Sequence, residues 1–170
     1  MKNWISNNWV RPLTAIFVGA AITIVSLAAS STEASAQSKG SRIRQSIQRL
    51  KSSERRWIQV DLSQQRLVAW QGTTAIHGMR VSTGKKSTPT LTGIFNIQTK
   101  HRIARMRGED YDIKDVPNVM YYDGGYGIHG AYWHNSFGTP VSRGCVNLRP
   151  SQARILYSWA SVGTPVVIHR

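Results

Sequence analysis

The 170-residue chain holds one cysteine, Cys145, and 8 acidic residues against 22 Lys and Arg. One thiol closes no internal disulfide, so any tertiary structure rests on its core. The scarcity of acid leaves a formal net charge of +14, which favours polyanionic surroundings. No nucleic-acid-binding motif accompanies that charge, which argues against DNA or RNA as the partner. Beyond a basic stretch at 37–56, no internal repeat or low-complexity segment appears. The length suits one domain plus a leader, with enough chain to bury a core.

Long apolar runs are equally scarce. The one that exists, Leu13 to Ala29, follows Lys2 and Arg11 and precedes the small residues Ala34-Ser35-Ala36. That order reads as a secretory signal, or as a retained anchor with Trp4 and Trp9 at the membrane interface. Both readings put the rest of the chain outside the cytoplasm, in the periplasm or cell envelope. An exported basic protein meets anionic membrane surface and cell-wall polymer rather than nucleic acid. In an oxidising compartment cysteines occur in pairs or not at all, so the odd one is a candidate reactive thiol.

The leader covers 1–36 and a basic tether 37–56, in which Ile43, Ile47 and Leu50 fall at helical spacing. This stretch is expected to be a flexible linker or a helix lying loosely on the domain or membrane. From Trp57 the period becomes two, and Trp57 to Leu62, Arg66 to Trp70, Thr74 to Val81 and Gly93 to Thr99 read as strands. Ser82 to Thr92 reads as a loop punctuated by Gly84 and Pro89. Glu109, Asp110, Asp112 and Asp115 lack the Gly and terminal Glu of a calcium loop. They stand beside Arg102, Arg105, Arg107 and Lys114, so Arg107 to Val116 is expected to be a salt-bridged loop without metal. Val116 to Asp123 and Tyr126 to His129 complete the strands before the next stretch. Pro150-Ser151 opens one clear helix, ended by Gly163, and Thr164 to His169 closes the domain as a strand. The class is mainly β.

Chemistry concentrates in Ile128 to Pro150, which contains Cys145 and two of the five histidines, His129 and His134. A lone Cys is commonly a small buried hydrophobe. Here Gly144 directly precedes it and permits positive φ and close approach, while Ser142 and Arg143 make the surroundings polar and cationic. A cation and a neutral imidazole beside a thiol lower its pKa and yield a nucleophilic thiolate. His129 and His134 are the available bases, and His134 also reads as an ordinary loop histidine. Zinc on Cys145, His129 and His134 is a rival use of the same residues, although three ligands fall short of a closed site. Asn147 and Arg149 are suited to grip a carboxylate or amide, and Asn147 equally to satisfy loop backbone.

His129-Gly130, followed by Ser142-Arg143-Gly144-Cys145-Val146-Asn147, closely resembles the active-site signature of the L,D-transpeptidase catalytic domain, the YkuD type. Val81-Ser82-Thr83-Gly84, Thr88-Pro89-Thr90 and Gly93-Ile94-Phe95 also look like that family, so the resemblance spans roughly Trp57 to His169. It implies a flattened β-sandwich or barrel-like pair of sheets over 57–170, with the Cys at a cleft. It implies Cys145 as nucleophile, His129 as base, the Gly130 carbonyl as the imidazole's orienting acceptor, and backbone N–H groups around Gly144 and Cys145 for the oxyanion. Ser142, Arg143, Asn147, Arg149, Tyr132 and His134 are the expected substrate contacts. Arg143 departs from family variants that carry His at this place, which removes a second histidine there and leaves a cation.

The implied reaction is attack on a peptidoglycan stem tetrapeptide, release of D-alanine through a thioester, and transfer to an amine to form a 3→3 cross-link. This would be part of peptidoglycan synthesis, cell-wall organisation and cell shape. No cofactor is implied, and stem peptides are the partners. Hydrolysis in place of transfer, as an L,D-carboxypeptidase, and a non-catalytic basic wall-binding module remain as alternatives.

Overall fold

The computed structural model describes the backbone of Met1 and residues 23–170, and the side chains of Met1 and residues 37–170. The leader reading, with its apolar run and small-residue site, lies outside the described side chains. Chain contacts divide Met1–Ala36 from Gln37–Arg170. In the first unit the backbone is helical from Thr23, within α1 (Thr23–Lys51). Among the described residues no helix is long and apolar enough to cross a membrane.

Two sheets build the second unit. The first contains β1 (Arg56–Asp61), β2 (Arg66–Gln71), β3 (Thr74–Arg80), β4 (Gly93–Asn96) and β9 (Pro165–His169), in the order β3-β2-β1-β9-β4. The second runs β5-β6-β7-β8, from β5 (Thr99–Gly108), β6 (Tyr111–Asp123), β7 (Tyr126–Gly130) and β8 (Val146–Leu148). β1 with β9 and β7 with β8 pair in parallel, and the other neighbours are antiparallel. This is the mainly β, two-sheet architecture expected, with α2 (Pro150–Trp159) as the helix near the C-terminus.

Alternation explains the core. Ile58 and Val60 of β1 point inward with Leu67, Ala69, Val166 and Ile168, against Met120, Ile128, Val146 and Leu148 of the second sheet. Ala153 and Leu156 of α2 join the same cluster. Each such aliphatic side chain contributes roughly 1.5–3 kcal/mol on burial. Pro150 begins α2 at a position where its missing N–H costs nothing. The helix stops at Trp159, short of the expected Gly163, as the Ala160 N–H closes the last turn on the Leu156 carbonyl at 2.8 Å.

Two expectations are corrected. The stretch 37–56 is not a loose tether: α1 continues to Lys51, and Ile43 and Leu50 are buried in a cluster with Trp57 and Val167. That helix covers the outer face of the first sheet, which is why Trp57 is fully buried rather than half-solvated. Its indole N–H donates to the Gly72 carbonyl at 3.0 Å, and its ring stacks on Trp70 with centroids 5.6 Å apart. The acidic stretch is likewise no loop. β5 and β6 form a hairpin turning at Glu109 and Asp110, in which Arg105 forks onto Asp112.

Leu50→Ala is expected to lower unfolding free energy by about 2–4 kcal/mol in urea titrations. A loss under about 0.5 kcal/mol would mean that the helix does not share in the cooperative unit.

Candidate active site

The pairing of β7 with β8 assembles the site. Ile128 lies beside Val146 and His129 beside Asn147. Side chains alternate along a strand, so Cys145, two residues before Asn147, shares the face of Asn147 and His129. All three line one cleft of about 300 Å³, with Met106, Tyr111, Ile113, Gly125, Tyr126, Trp133, Val141, Ser142 and Arg143.

The bend before Cys145 requires glycine. Gly144 has φ +115°, and a Cβ there would stand 2.6 Å from Cε1 of Tyr126. The close approach expected at this glycine is therefore made by the protein's own Tyr126 ring. Thr90 Oγ1 clamps the bend from below, accepting from the Gly84 N–H at 2.8 Å and donating to the Gly144 carbonyl at 2.7 Å. Ser142 Oγ donates to the Cys145 carbonyl at 2.6 Å and accepts from the Gly144 N–H at 3.1 Å. Ser142 is thus buried at the edge of the cleft, where it fastens the loop to itself, and the Gly144 N–H donates within that loop. Gly130 has a packing reason as well, because a Cβ there would meet Pro117 Cγ at 2.8 Å.

His129 is buried, and its Nδ1 lies 3.0 Å from the Gly130 carbonyl. A carbonyl only accepts, so Nδ1 carries the proton and donates it, and Nε2 is left as the basic nitrogen. Burial pushes the imidazole pKa down to about 4, with the Gly130 hydrogen bond working the other way. Trp133 lies over the ring, with centroids 5.8 Å apart. Cys145 is half-buried, and its thiol points at the Gly125 carbonyl, 3.7 Å away. Burial raises the thiol pKa above its usual value, and a backbone hydrogen bond from Gly127 only partly offsets this. Burial of both groups therefore works against the cation-stabilised thiolate suggested by the sequence and favours the uncharged thiol and imidazole. Arg143 does not act on the sulfur, since its Nε and Nη2 donate to Asp110 Oδ2 at 2.9 and 2.7 Å.

The remaining expected contacts divide. Asn147 is buried in the cleft wall with its amide 3.0 Å from His134 Nε2. His134 Nδ1 accepts from the Ser136 N–H at 3.2 Å, which leaves the proton of the neutral ring on Nε2. Asn147 Nδ2 stands against that nitrogen while Oδ1 has no partner, so a flip of the amide that brings Oδ1 to Nε2 satisfies both groups. His134 is a support for Asn147 and does not line the cleft, and burial lowers its pKa. Tyr132 is exposed and donates to the Lys114 carbonyl at 2.7 Å, tying the loop after β7 to the β5–β6 hairpin. Arg149 lies over the Phe137 ring at 4.8 Å, outside the cleft lining. Among the described residues no three His, Cys, Asp or Glu side chains group as a metal site, Cys145, His129 and His134 included.

Sequence reasoning missed Trp133 and the hairpin wall of Met106, Tyr111 and Ile113. The alternation of Tyr111 and Ile113 with Asp112 and Lys114 was the available signal.

Residues 55–168 match the family model of the L,D-transpeptidase catalytic domain, YkuD. The chain belongs to that family. Solved structures agree. An L,D-transpeptidase from Mycobacterium smegmatis is 26% identical with a TM-score of 0.64, over 68% of this chain and 58% of that one. A cysteine-to-serine mutant of the Enterococcus faecium L,D-transpeptidase is 28% identical with a TM-score of 0.64, over 69% of this chain and 50% of that one. The catalytic domain of an E. faecium L,D-transpeptidase is 28% identical with a TM-score of 0.62, over 68% of this chain and 98% of that domain. The chain thus spans little more than half of the first two relatives. No curated protein matches it.

Two pH effects follow. Alkylation of Cys145 by iodoacetamide is expected to keep climbing from pH 6 to 9, as a thiol with a raised pKa requires; a plateau near neutrality would reveal a thiolate–imidazolium pair. His129 titrates near 4 when folded and near 6.5 when unfolded, so the unfolded chain binds the extra proton in that window. Stability should fall by about 3 kcal/mol as pH drops through it. Urea titrations at pH 7.5 and 4.5 should show this drop in the parent and lose it in His129→Gln; equal slopes in the two proteins would contradict the buried neutral ring.

Proposed function

We propose that the protein is a cysteine-dependent L,D-transpeptidase acting on peptidoglycan stem tetrapeptides in the periplasm or cell envelope. The observation that carries this is one cleft shared by Cys145 and an imidazole whose Nδ1 is tied to the Gly130 carbonyl, leaving Nε2 basic. The basic-then-apolar order of the N-terminal residues supports the location.

Because both groups begin neutral, proton transfer accompanies attack rather than preceding it. Cys145 Sγ bonds to the carbonyl carbon of the third stem residue as its proton passes to His129 Nε2. The carbon–nitrogen bond to D-alanine then breaks, and the imidazolium returns the proton to the leaving amine. An acceptor amine attacks the thioester, gives its proton to Nε2 and restores the thiol, leaving a 3→3 cross-link. Water in place of the amine makes the same thioester end as a tripeptide. Trp133 over His129 and the hairpin wall of Met106, Tyr111 and Ile113 limit water at the reacting atoms.

The test is intact-mass analysis of the full chain with a disaccharide tetrapeptide. The parent should gain the mass of the acylated tripeptide and go on to cross-linked dimer, whereas Cys145→Ala should show no adduct and lose at least ~10³-fold in turnover. Imipenem, bound in the solved structure of a 25% identical L,D-transpeptidase, is a second probe of the thiol. A folded, reduced parent that forms neither adduct would overturn the enzyme reading in favour of a wall-binding module.

A further inference from the structure

Arg143 stands two residues before Cys145 and lines its cleft, at the place where the family resemblance leads one to expect histidine. Both of its contacts with Asp110 go to a single oxygen, Oδ2, at 2.9 and 2.7 Å. Nη1 has no hydrogen-bond partner among the described residues, and the guanidinium plane rests on the Tyr111 ring at 4.8 Å. The pair is open to water, with side chains 41% and 68% exposed. Exposed ion pairs are held weakly and exchange readily with other ions. Asp110, 68% exposed, is left to water by such an exchange. Its carboxyl is held below the usual range first by the Arg143 hydrogen bond, but Lys85 acts on it as well.

We infer that Arg143 is a specificity-determining residue: its guanidinium changes partner from Asp110 to the terminal carboxylate of the peptide whose preceding amide Cys145 attacks. Three observations carry this. The guanidinium is fixed in direction by the Tyr111 ring, so its fork is pre-organised for a planar carboxylate. It sits on the rim of the cleft that contains the nucleophile. Its present partner is exposed, so water can take the place of the guanidinium. A carboxylate one residue beyond the scissile carbonyl lies within the reach of an arginine two positions from the attacking sulfur. Asp110 holds the guanidinium until the carboxylate replaces it, competing with substrate and keeping the guanidinium aimed. A chain extended by a further residue, or capped as an amide, presents no charge at that point and gains nothing from Arg143. The inference rests on the acyl-transfer reading for the identity of the peptide, but its binding test does not need turnover.

The full chain carrying Cys145→Ala is titrated calorimetrically with the disaccharide tetrapeptide and with the same molecule capped as its terminal carboxamide. The free carboxylate should bind about tenfold tighter. Adding Arg143→Gln should bring the two ligands within about twofold, and Arg143→Lys, which keeps the charge but loses the fork, should fall between. Adding Asp110→Asn should tighten the carboxylate ligand about two- to threefold and leave the carboxamide unchanged. An unchanged ratio in Arg143→Gln, equal weakening of both ligands, or no binding of either would overturn the assignment. A parent that forms no thioester while the ratio still depends on Arg143 would sink acyl transfer and leave the assignment standing.

Discussion

The parallel pairing of β7 with β8 is the constraint on which the site depends. Its register sets His129 beside Asn147, and strand alternation then puts Cys145 on the same face. A slip by one residue would turn Cys145 and Asn147 into the opposite layer, where Val146 now packs. The slip is resisted from both sides. Val146 and Leu148 are buried in the main core, while Ser82 bridges to Asn147 and Gly84 to Ser142. Thr90 Oγ1 then fixes the Gly144 carbonyl from the same loop that contributes Gly84. The geometry of the cleft and the packing of the core are thus consequences of one strand register.

Burial sets the electrical state of that geometry. A low-dielectric wall makes both the imidazolium and the thiolate costly, so burial favours the uncharged forms of both groups although the chain as a whole is strongly basic. The nearby guanidinium does not alter this, because Asp110 already occupies it. In the proposed reaction, charge separation is deferred until a carbonyl is in reach. The hairpin joins this arrangement through Tyr132 and Arg143, which flank the catalytic loop and tie it to Lys114 and Asp110. Its residues Met106, Tyr111 and Ile113 complete the cleft.

Much of this was legible in the chain. The period-two strands, the Pro150 helix start and the Cys145–His129 constellation all depend on local residue types, and local chemistry is what a sequence displays. The covering helix was not, because Ile43, Ile47 and Leu50 read as a weak apolar stripe among arginines, and only Trp57 and Val167 beneath show what it packs on. The hairpin was hidden by charge density, since Arg105 and Asp112 look like loop residues until they pair across two strands. The partner of Arg143 was hidden for a related reason. Arg143 stands two residues before Cys145, but Asp110 is 33 positions away. Ser142 shows the same limit: a polar residue near Cys145 suggests substrate contact, and only the folded loop shows that it also fastens the loop to itself.

The most direct measurement of the central claim is the nitrogen NMR spectrum of the His129 ring at pH 7 in the free protein, assigned against His129→Gln. The account predicts a neutral ring with its proton on Nδ1, donated to the Gly130 carbonyl, and an unprotonated Nε2. A ring protonated at both nitrogens at that pH, converting to neutral when the Cys145 thiol is removed, would contradict it and establish a preformed thiolate–imidazolium pair.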